Sequence, residues 1–208
     1  PHYGVFSPVR GEYVQMVADT PLPAAATPGA VAFDIGTGTG VLAAVLARRG
    51  LQVQATDMDP RALACAAQNI TQLGLQAQVQ VLQADLFAPG RAALVLCNPP
   101  WLPARAGSPL ERAVYDEDSR MLLGWLQGLA AHLAPGGEGW LILSDLAEHL
   151  GLRSREWLLQ AIQAAGLQVL GRIDTRPVHR KVADTTDALH KARAAEVTSL
   201  WRLAAASA

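Results

Sequence analysis

The chain has 208 residues, half of them apolar and 17% charged, with a net charge of −1 and a pI of about 6.6. That size and composition suit one domain with a sizeable core, and near-neutral charge supplies no global basic field for a nucleic-acid backbone. The apolar runs are too short for a membrane span, no secretory signal is visible, and Cys65 and Cys97 match neither a zinc nor a Cys-x-x-Cys pattern. A cytoplasmic protein in a reduced compartment, with no membrane or metal partner, is expected.

The chain opens Pro1-His2-Tyr3 without an initiator Met, so a fragment lacking an upstream segment is one expectation. Residues 1–29 read as an N-terminal loop and helix covering the site, and 30–208 as the catalytic domain. A short helix fits 10–18, with Tyr13, Val14 and Val17 on one face. Val31–Ile35 is an unalternating apolar run, as in a strand buried on both faces. Val41, Leu42, Val45 and Leu46 are helix-spaced, and Gly50 stops that helix. Gln52–Thr56 is a second strand ending at Asp57. Asp59 and Pro60 start a helix as N-cap and first residue.

Gln78–Gln83 is a third strand leading to Asp85-Leu86-Phe87, and Ala92–Cys97 is a fourth ending at Asn98. Residues 102–117 read as a loop and 118–133 as a helix, which Pro135-Gly136-Gly137 breaks. Trp140–Leu143 is a fifth strand, Ser154 caps a helix to Ala165, and Leu167–Ile173 and Val197–Leu203 complete seven strands. Strands alternating with helices predict an α/β fold, a doubly wound Rossmann-like sheet, mostly parallel. No helical pattern separates the last two strands, so the final one is expected to be antiparallel. The connection 175–196 is long enough to be ordered in part or to act as a lid.

Open α/β sheets bind ligands beyond the carboxyl ends of their strands. Asp34-Ile-Gly36-Thr37-Gly38-Thr-Gly40 occupies that place after the first strand. Its glycines allow a tight turn and a close approach to bare backbone, and the following helix start offers N–H groups to an anion. Asp57 suits a ribose diol, and Asp85 can accept from an exocyclic amine of adenine. Asp34 either joins the ligand or braces the loop. The spacing is Gly-x-Gly-x-Gly without the third glycine of the dinucleotide fingerprint in its usual place. NAD and S-adenosylmethionine (SAM) both fit, and a tight turn without ligand is the bland alternative.

Asn98-Pro99-Pro100-Trp101 ends the fourth strand. An amide or arylamine nitrogen is a poor nucleophile because its lone pair is delocalised. Two acceptors on its two N–H groups, the Asn98 side-chain oxygen and the Pro99 carbonyl, can polarise it. Proline fixes the backbone that aims them, and Trp101 offers a flat face to a planar substrate. The order Asp34 to Gly40, Asp57, Asp85 and Asn98 to Trp101 resembles the class I SAM-dependent methyltransferases over roughly residues 30–145. The Asn-Pro-Pro-aromatic motif resembles their subgroup acting on planar nitrogens: adenine-N6, ribosomal RNA guanine-N2 and release-factor glutamine-N5 methyltransferases. The resemblance implies SAM as cofactor, bound by Asp34, Gly36, Thr37, Gly38, Gly40, Asp57, Met58, Asp85, Leu86 and Asn98. It implies Asn98 and Pro99 as catalytic residues, Pro100 and Trp101 on the substrate, and a macromolecular partner: a protein glutamine or an RNA or DNA base. A non-catalytic SAM-binding domain and an NAD-dependent oxidoreductase are the competing readings.

Weaker features carry less. Phe6 to Arg10 is a candidate pocket wall, and residues 171–193 carry six cations against three acids, a local excess of +3. His2, His132, His149 and Cys97 read as packing or surface residues.

Overall fold

A computed structural model describes residues 11–103, 115–176 and 195–206. Its elements are α1 (Gly11–Asp19), β1 (Val31–Ile35), α2 (Val41–Arg48), β2 (Gln52–Asp57), α3 (Pro60–Gln72), β3 (Val79–Gln83) and β4 (Ala92–Cys97). After a short 3-10 turn come α4 (Arg120–His132), β5 (Leu133–Ser144), α5 (Leu146–His149), α6 (Arg155–Ala164), β6 (Leu167–Thr175) and β7 (Thr198–Ala205). One sheet holds all seven strands in the order β3-β2-β1-β4-β5-β7-β6. The pairings from β3 to β5 are parallel, and β7 runs antiparallel between β5 and β6. The antiparallel last strand is the one expected from the missing helix.

The apolar β4 shows why an unalternating strand is stable here. All six of its residues are buried, and successive side chains leave on opposite faces. Leu94 and Leu96 join the layer with Val17, Leu42 and Leu46 of α1 and α2. Val95 and Cys97 join the layer with Leu122, Trp125 and Leu126 of α4 and Leu158 and Ile162 of α6. Each large side chain so covered contributes about 1.5–3 kcal/mol. α1 belongs to the same core as the sheet: Tyr13, Met16 and Val17 are buried, and the Arg49 guanidinium donates to the Val17 and Thr20 carbonyls.

Two segments differ from their sequence-based expectations. β5 begins at Leu133, and Pro135-Gly136-Gly137 lies within it. The pairing with β4 shifts register between Ala92 and Leu94, which absorbs the irregularity. A Cβ on Gly137 would sit 2.9 Å from the carbonyl oxygens of both Ala134 and Ala92, so only glycine lets the strand pass. The short helix α5 is an addition that no apolar period announces. The expected lid at 175–196, the loop at 102–117 and the local basic excess fall largely outside the described residues, as do Phe6 to Arg10.

Candidate functional site

The strand order β3-β2-β1-β4 brings the sequence-derived candidates to one edge. Asp85 follows β3, Asp57 ends β2, the glycine loop follows β1 and Asn98 follows β4. Asp34 is paired with Leu96 and Ile35 with Cys97 in the β1–β4 register. The Asn98 motif therefore leaves the sheet one strand spacing, about 4.8 Å, from the glycine loop.

The loop is built from three glycines that all have left-handed backbones, with φ of 71° at Gly36, 55° at Gly38 and 78° at Gly40. Residues with a Cβ adopt that region at a cost of order 1–3 kcal/mol. Four neighbours pin it. The Asp34 carboxylate accepts from Thr37 Oγ1 at 2.6 Å and from Ala43 N in the first turn of α2 at 3.0 Å. Thr37 N donates to the Thr56 carbonyl at 2.8 Å, and Gly38 N to Asp57 Oδ2 at 3.0 Å. Asn69, from α3, donates to the Thr39 carbonyl at 2.9 Å. In the sequence Asn69 carries no motif; its one signal is a polar residue in the otherwise apolar stripe of α3.

Asp34 is only 2% exposed, so the structure gives it the bracing part of its two expected roles. Burial raises its pKa to about 6, against the pull of the Thr37 and Ala43 hydrogen bonds, with the Asp57 charge raising it further. The folded value lies above the unfolded one, so between about pH 4 and 6 the native state holds the extra proton. Stability from this group then falls as pH rises through that window, by about 3 kcal/mol in all. Asp34→Asn keeps a carbonyl oxygen for both donors and cannot ionise. Calorimetric melting from pH 4.5 to 7.5 is expected to show the variant gaining on the wild type as pH rises; a widening wild-type advantage would contradict this account.

Asp57 is half-buried. Its Oδ1 accepts from Asp59 N at 2.9 Å and its Oδ2 from Gly38 N. Each carboxylate oxygen keeps further lone pairs, so two hydroxyls of a ribose can share it. Met58, beside it, is 61% exposed and leaves an apolar side chain uncovered next to Asp57. Asp85 lies at the surface and pairs with Arg120 Nη2 at 2.6 Å. Leu86 has a left-handed backbone, φ 75°, and its carbonyl accepts from Thr56 Oγ1. Gly124 and Gly128 of α4 let this segment close down: a Cβ there would come within 2.8 Å of Leu86 Cδ1 and 2.4 Å of Phe87 Cε2. Phe87 in turn stacks on His132 at 4.1 Å, which makes His132 a packing residue. The bare glycine backbone, the diol-shaped carboxylate and the exposed Met58 fit a nucleoside with an anionic or zwitterionic tail.

Asn98 is half-buried, and its Oδ1 accepts from Trp101 Nε1 at 2.9 Å. The Trp101 ring meets Tyr13 of α1 edge-on, with centroids 6.2 Å apart. Behind the motif stands Arg153, 7% exposed, which donates to the Trp101 carbonyl at 3.0 Å and to Ser119 Oγ at 3.2 Å. The buried Asp116 accepts from Met121 N and Leu122 N at the start of α4. Asp116 and Arg153 lie in irregular chain and Ser119 in the 3-10 turn before α4, so no motif or period marks them in the sequence. A cleft of about 430 Å³ opens beside them, lined by Pro103, Asp118, Leu152, Arg153 and Trp157 among others. Burial pushes the Cys97 thiol well above its ordinary value, with the Asp34 and Asp116 charges adding to it. A thiolate nucleophile is therefore disfavoured. Among the described residues, no three His, Cys, Asp or Glu side chains group to hold a metal, and no helix is long and apolar enough to cross a membrane.

The family model for the methyltransferase small domain matches residues 2–155. The release factor glutamine methyltransferase of Cereibacter sphaeroides is 33% identical over 168 residues, 74% of this chain and 59% of the relative. The ribosomal protein L11 methyltransferase of Pelotomaculum thermopropionicum is 36% identical over 149 residues, 70% of this chain and 40% of the relative. The chain thus spans only about two-fifths to three-fifths of these curated relatives. The crystal structure of the ribosomal protein L11 methylase from Lactobacillus delbrueckii subsp. bulgaricus superposes with a TM-score of 0.62 at 16% identity, covering 98% of this chain and 82% of that one. With the matched model spanning well over half of its length and the sheet order that of a Rossmann-like methyltransferase, the chain belongs to the methyltransferase small domain family.

Proposed function

We propose that the chain is a SAM-dependent N-methyltransferase acting on a planar NH2 nitrogen, with the side-chain amide of a protein glutamine as its first candidate substrate. The observation that carries this reading is the β1–β4 pairing, which sets an acceptor-bearing Asn-Pro-Pro turn one strand away from a glycine cradle. Bound SAM supplies an electrophilic methyl group on a sulfonium. Gly36, Thr37, Gly38 and Gly40 form the floor of its cradle, with Asp34 bracing them, Asp57 taking the ribose hydroxyls, and Met58, Asp85 and Leu86 bordering the adenine. Asp85 reaches an adenine amine only by sharing its carboxylate with Arg120.

The substrate nitrogen lies between the Asn98 oxygen and the Pro99 carbonyl, each accepting one of its N–H groups. Those fixed dipoles favour a nitrogen whose lone pair is released from conjugation, and the turn holds that nitrogen facing the cradle. Pro100 and Trp101 wall the substrate side. A protein substrate is favoured over nucleic acid by the near-neutral chain and by the exposed Glu117 and Asp118 beside the motif, which repel phosphates. The release factor glutamine methyltransferase relative supports the same choice. The translation-related relatives and the two buried free cysteines support a cytoplasmic location.

Two measurements test this. SAM at a hundredfold excess over its Kd is expected to add about 2.7 kcal/mol of stability, raising Tm by roughly 5–10 °C, whereas NAD leaves Tm unchanged. No shift with SAM removes the reading at its first step. Tritiated SAM added with the chain to extract from a strain lacking it is then expected to label the protein fraction. Labelling confined to RNA or DNA transfers the proposal to a base amine.

A further inference from the structure

Asn98 can serve as an acceptor only if its amide presents oxygen, and not NH2, to the substrate. An amide at the end of a side chain rotates readily, and the two ends are nearly the same size. Something must therefore decide its orientation before substrate arrives. In this chain the Trp101 indole N–H does so: it has only a proton to give, and it lies 2.9 Å from Asn98 Oδ1. A carbonyl oxygen has two lone pairs, so one remains for a substrate N–H.

The indole is itself held. Tyr13 meets the ring edge-on, and the ring packs among residues of both core layers. The backbone of Trp101 is fixed from a part of the chain 52 residues away by Arg153 Nη2 on its carbonyl. The other nitrogen of that fork, Nη1, bonds to Ser119 Oγ, and the Asp116 and Glu148 carboxylates stand close enough to oppose the effect of burial on the guanidinium. Ser119 and Asp118 both have left-handed backbones, with φ of 54° and 56°. Two consecutive residues with side chains in that region are held there against strain, and here the strain turns a serine hydroxyl toward Arg153.

We propose that Arg153 and Trp101 are positioning residues that act in series: Arg153 fixes the Trp101 backbone, and the Trp101 N–H locks the Asn98 amide with its oxygen toward the substrate. The bonds themselves are independent of the reaction proposed above; their effect on turnover rests on it.

The chain has five tryptophans, so a ¹H–¹⁵N spectrum of the whole chain carries five indole signals, and Trp101→Phe identifies the one from Trp101. In Arg153→Met that signal is expected to shift and its exchange with solvent to quicken about tenfold, the equivalent of one ordinary hydrogen bond. The Trp140 indole, bonded to Glu138 at 3.0 Å, stays unchanged and serves as the internal control. Arg153→Lys, which keeps the charge without the fork, is expected to give a smaller change in the same direction and replaces the Met variant if that one does not fold. A Trp101 signal indifferent to both substitutions overturns the series.

Trp101→Phe keeps an aromatic ring on the Tyr13 side but gives up the N–H. On the fraction labelled by wild type with tritiated SAM, its turnover is expected to fall about tenfold with the Kd for SAM unchanged. Unchanged turnover makes the indole merely structural, and faster turnover makes it a cover over Asn98; either result overturns the positioning role. If wild type labels nothing, the proposed reaction fails while the spectra still decide the series of bonds.

Discussion

Replacing Asn98 with alanine is expected to lower methyl transfer about 10²–10³-fold while leaving the affinity for SAM within a factor of about three. Removing one preorganised polar group aimed at a reacting centre costs about that much in other enzymes. The same cost holds here because Asn98 follows β4, a strand buried at every position. The cofactor side should be untouched, since the glycine loop is pinned by Asp34, Thr56, Asp57 and Asn69 and none of those bonds involves Asn98. The substitution also leaves the half-buried Trp101 indole without its Asn98 acceptor, which should lower stability by about 1–2 kcal/mol. Single-turnover rates with saturating SAM, beside isothermal titration of SAM, separate the two effects. Lost cofactor affinity with intact chemistry would remove Asn98 from the reacting centre.

Asp57→Ala is expected to have the opposite profile. A carboxylate that accepts from two ribose hydroxyls contributes two charge-assisted hydrogen bonds, each of about 1.5–3 kcal/mol. Its loss should weaken SAM binding at least about 10²-fold, while turnover at saturating cofactor changes little. The structure adds a second consequence. Asp57 also ties Gly38 N to Asp59 N across the carboxylate, so its removal slackens the loop in the absence of any cofactor. A fall in Tm without SAM, beyond that of an ordinary surface substitution, should therefore accompany the loss of affinity. Asp57→Asn separates the two, because its one remaining oxygen can still accept from a loop amide. Retained SAM affinity in both variants would assign Asp57 to the loop alone.

The two substitutions divide the site as the strands divide it. On the proposed reading the cofactor residues follow β1, β2 and β3 and the reacting nitrogen is met after β4. What joins them in space is the parallel β1–β4 pairing and the start of α4, where Arg120 meets Asp85 and Ser119 meets Arg153. A substitution in this turn is therefore expected to reach both halves, unlike one in either loop.

The strands, their alternation with helices and the residues at their carboxyl ends are legible in the residue pattern, the early start of β5 excepted. Those features are local: β4 is apolar at every position because both of its faces are covered, Asp59-Pro60 caps α3 through a bond to Arg61 N at 2.9 Å, and the glycines after β1 mark left-handed turns. The family resemblance of the Asn-Pro-Pro turn rested on the same kind of contiguous signal.

The packed fold settles what those residues touch. It made Asp34 a buried brace, occupied Asp85 with Arg120, and turned the Trp101 indole onto Asn98. It also recruited Asn69, Asp116, Ser119 and Arg153, which lie in a helix face, a turn and irregular chain without period or motif. A hydrogen bond between residues 52 apart, such as that from Arg153 to Trp101, leaves no trace in local pattern, because either residue alone satisfies every rule for a surface loop. Such a partner exists only once the sheet has closed and the two loops stand side by side.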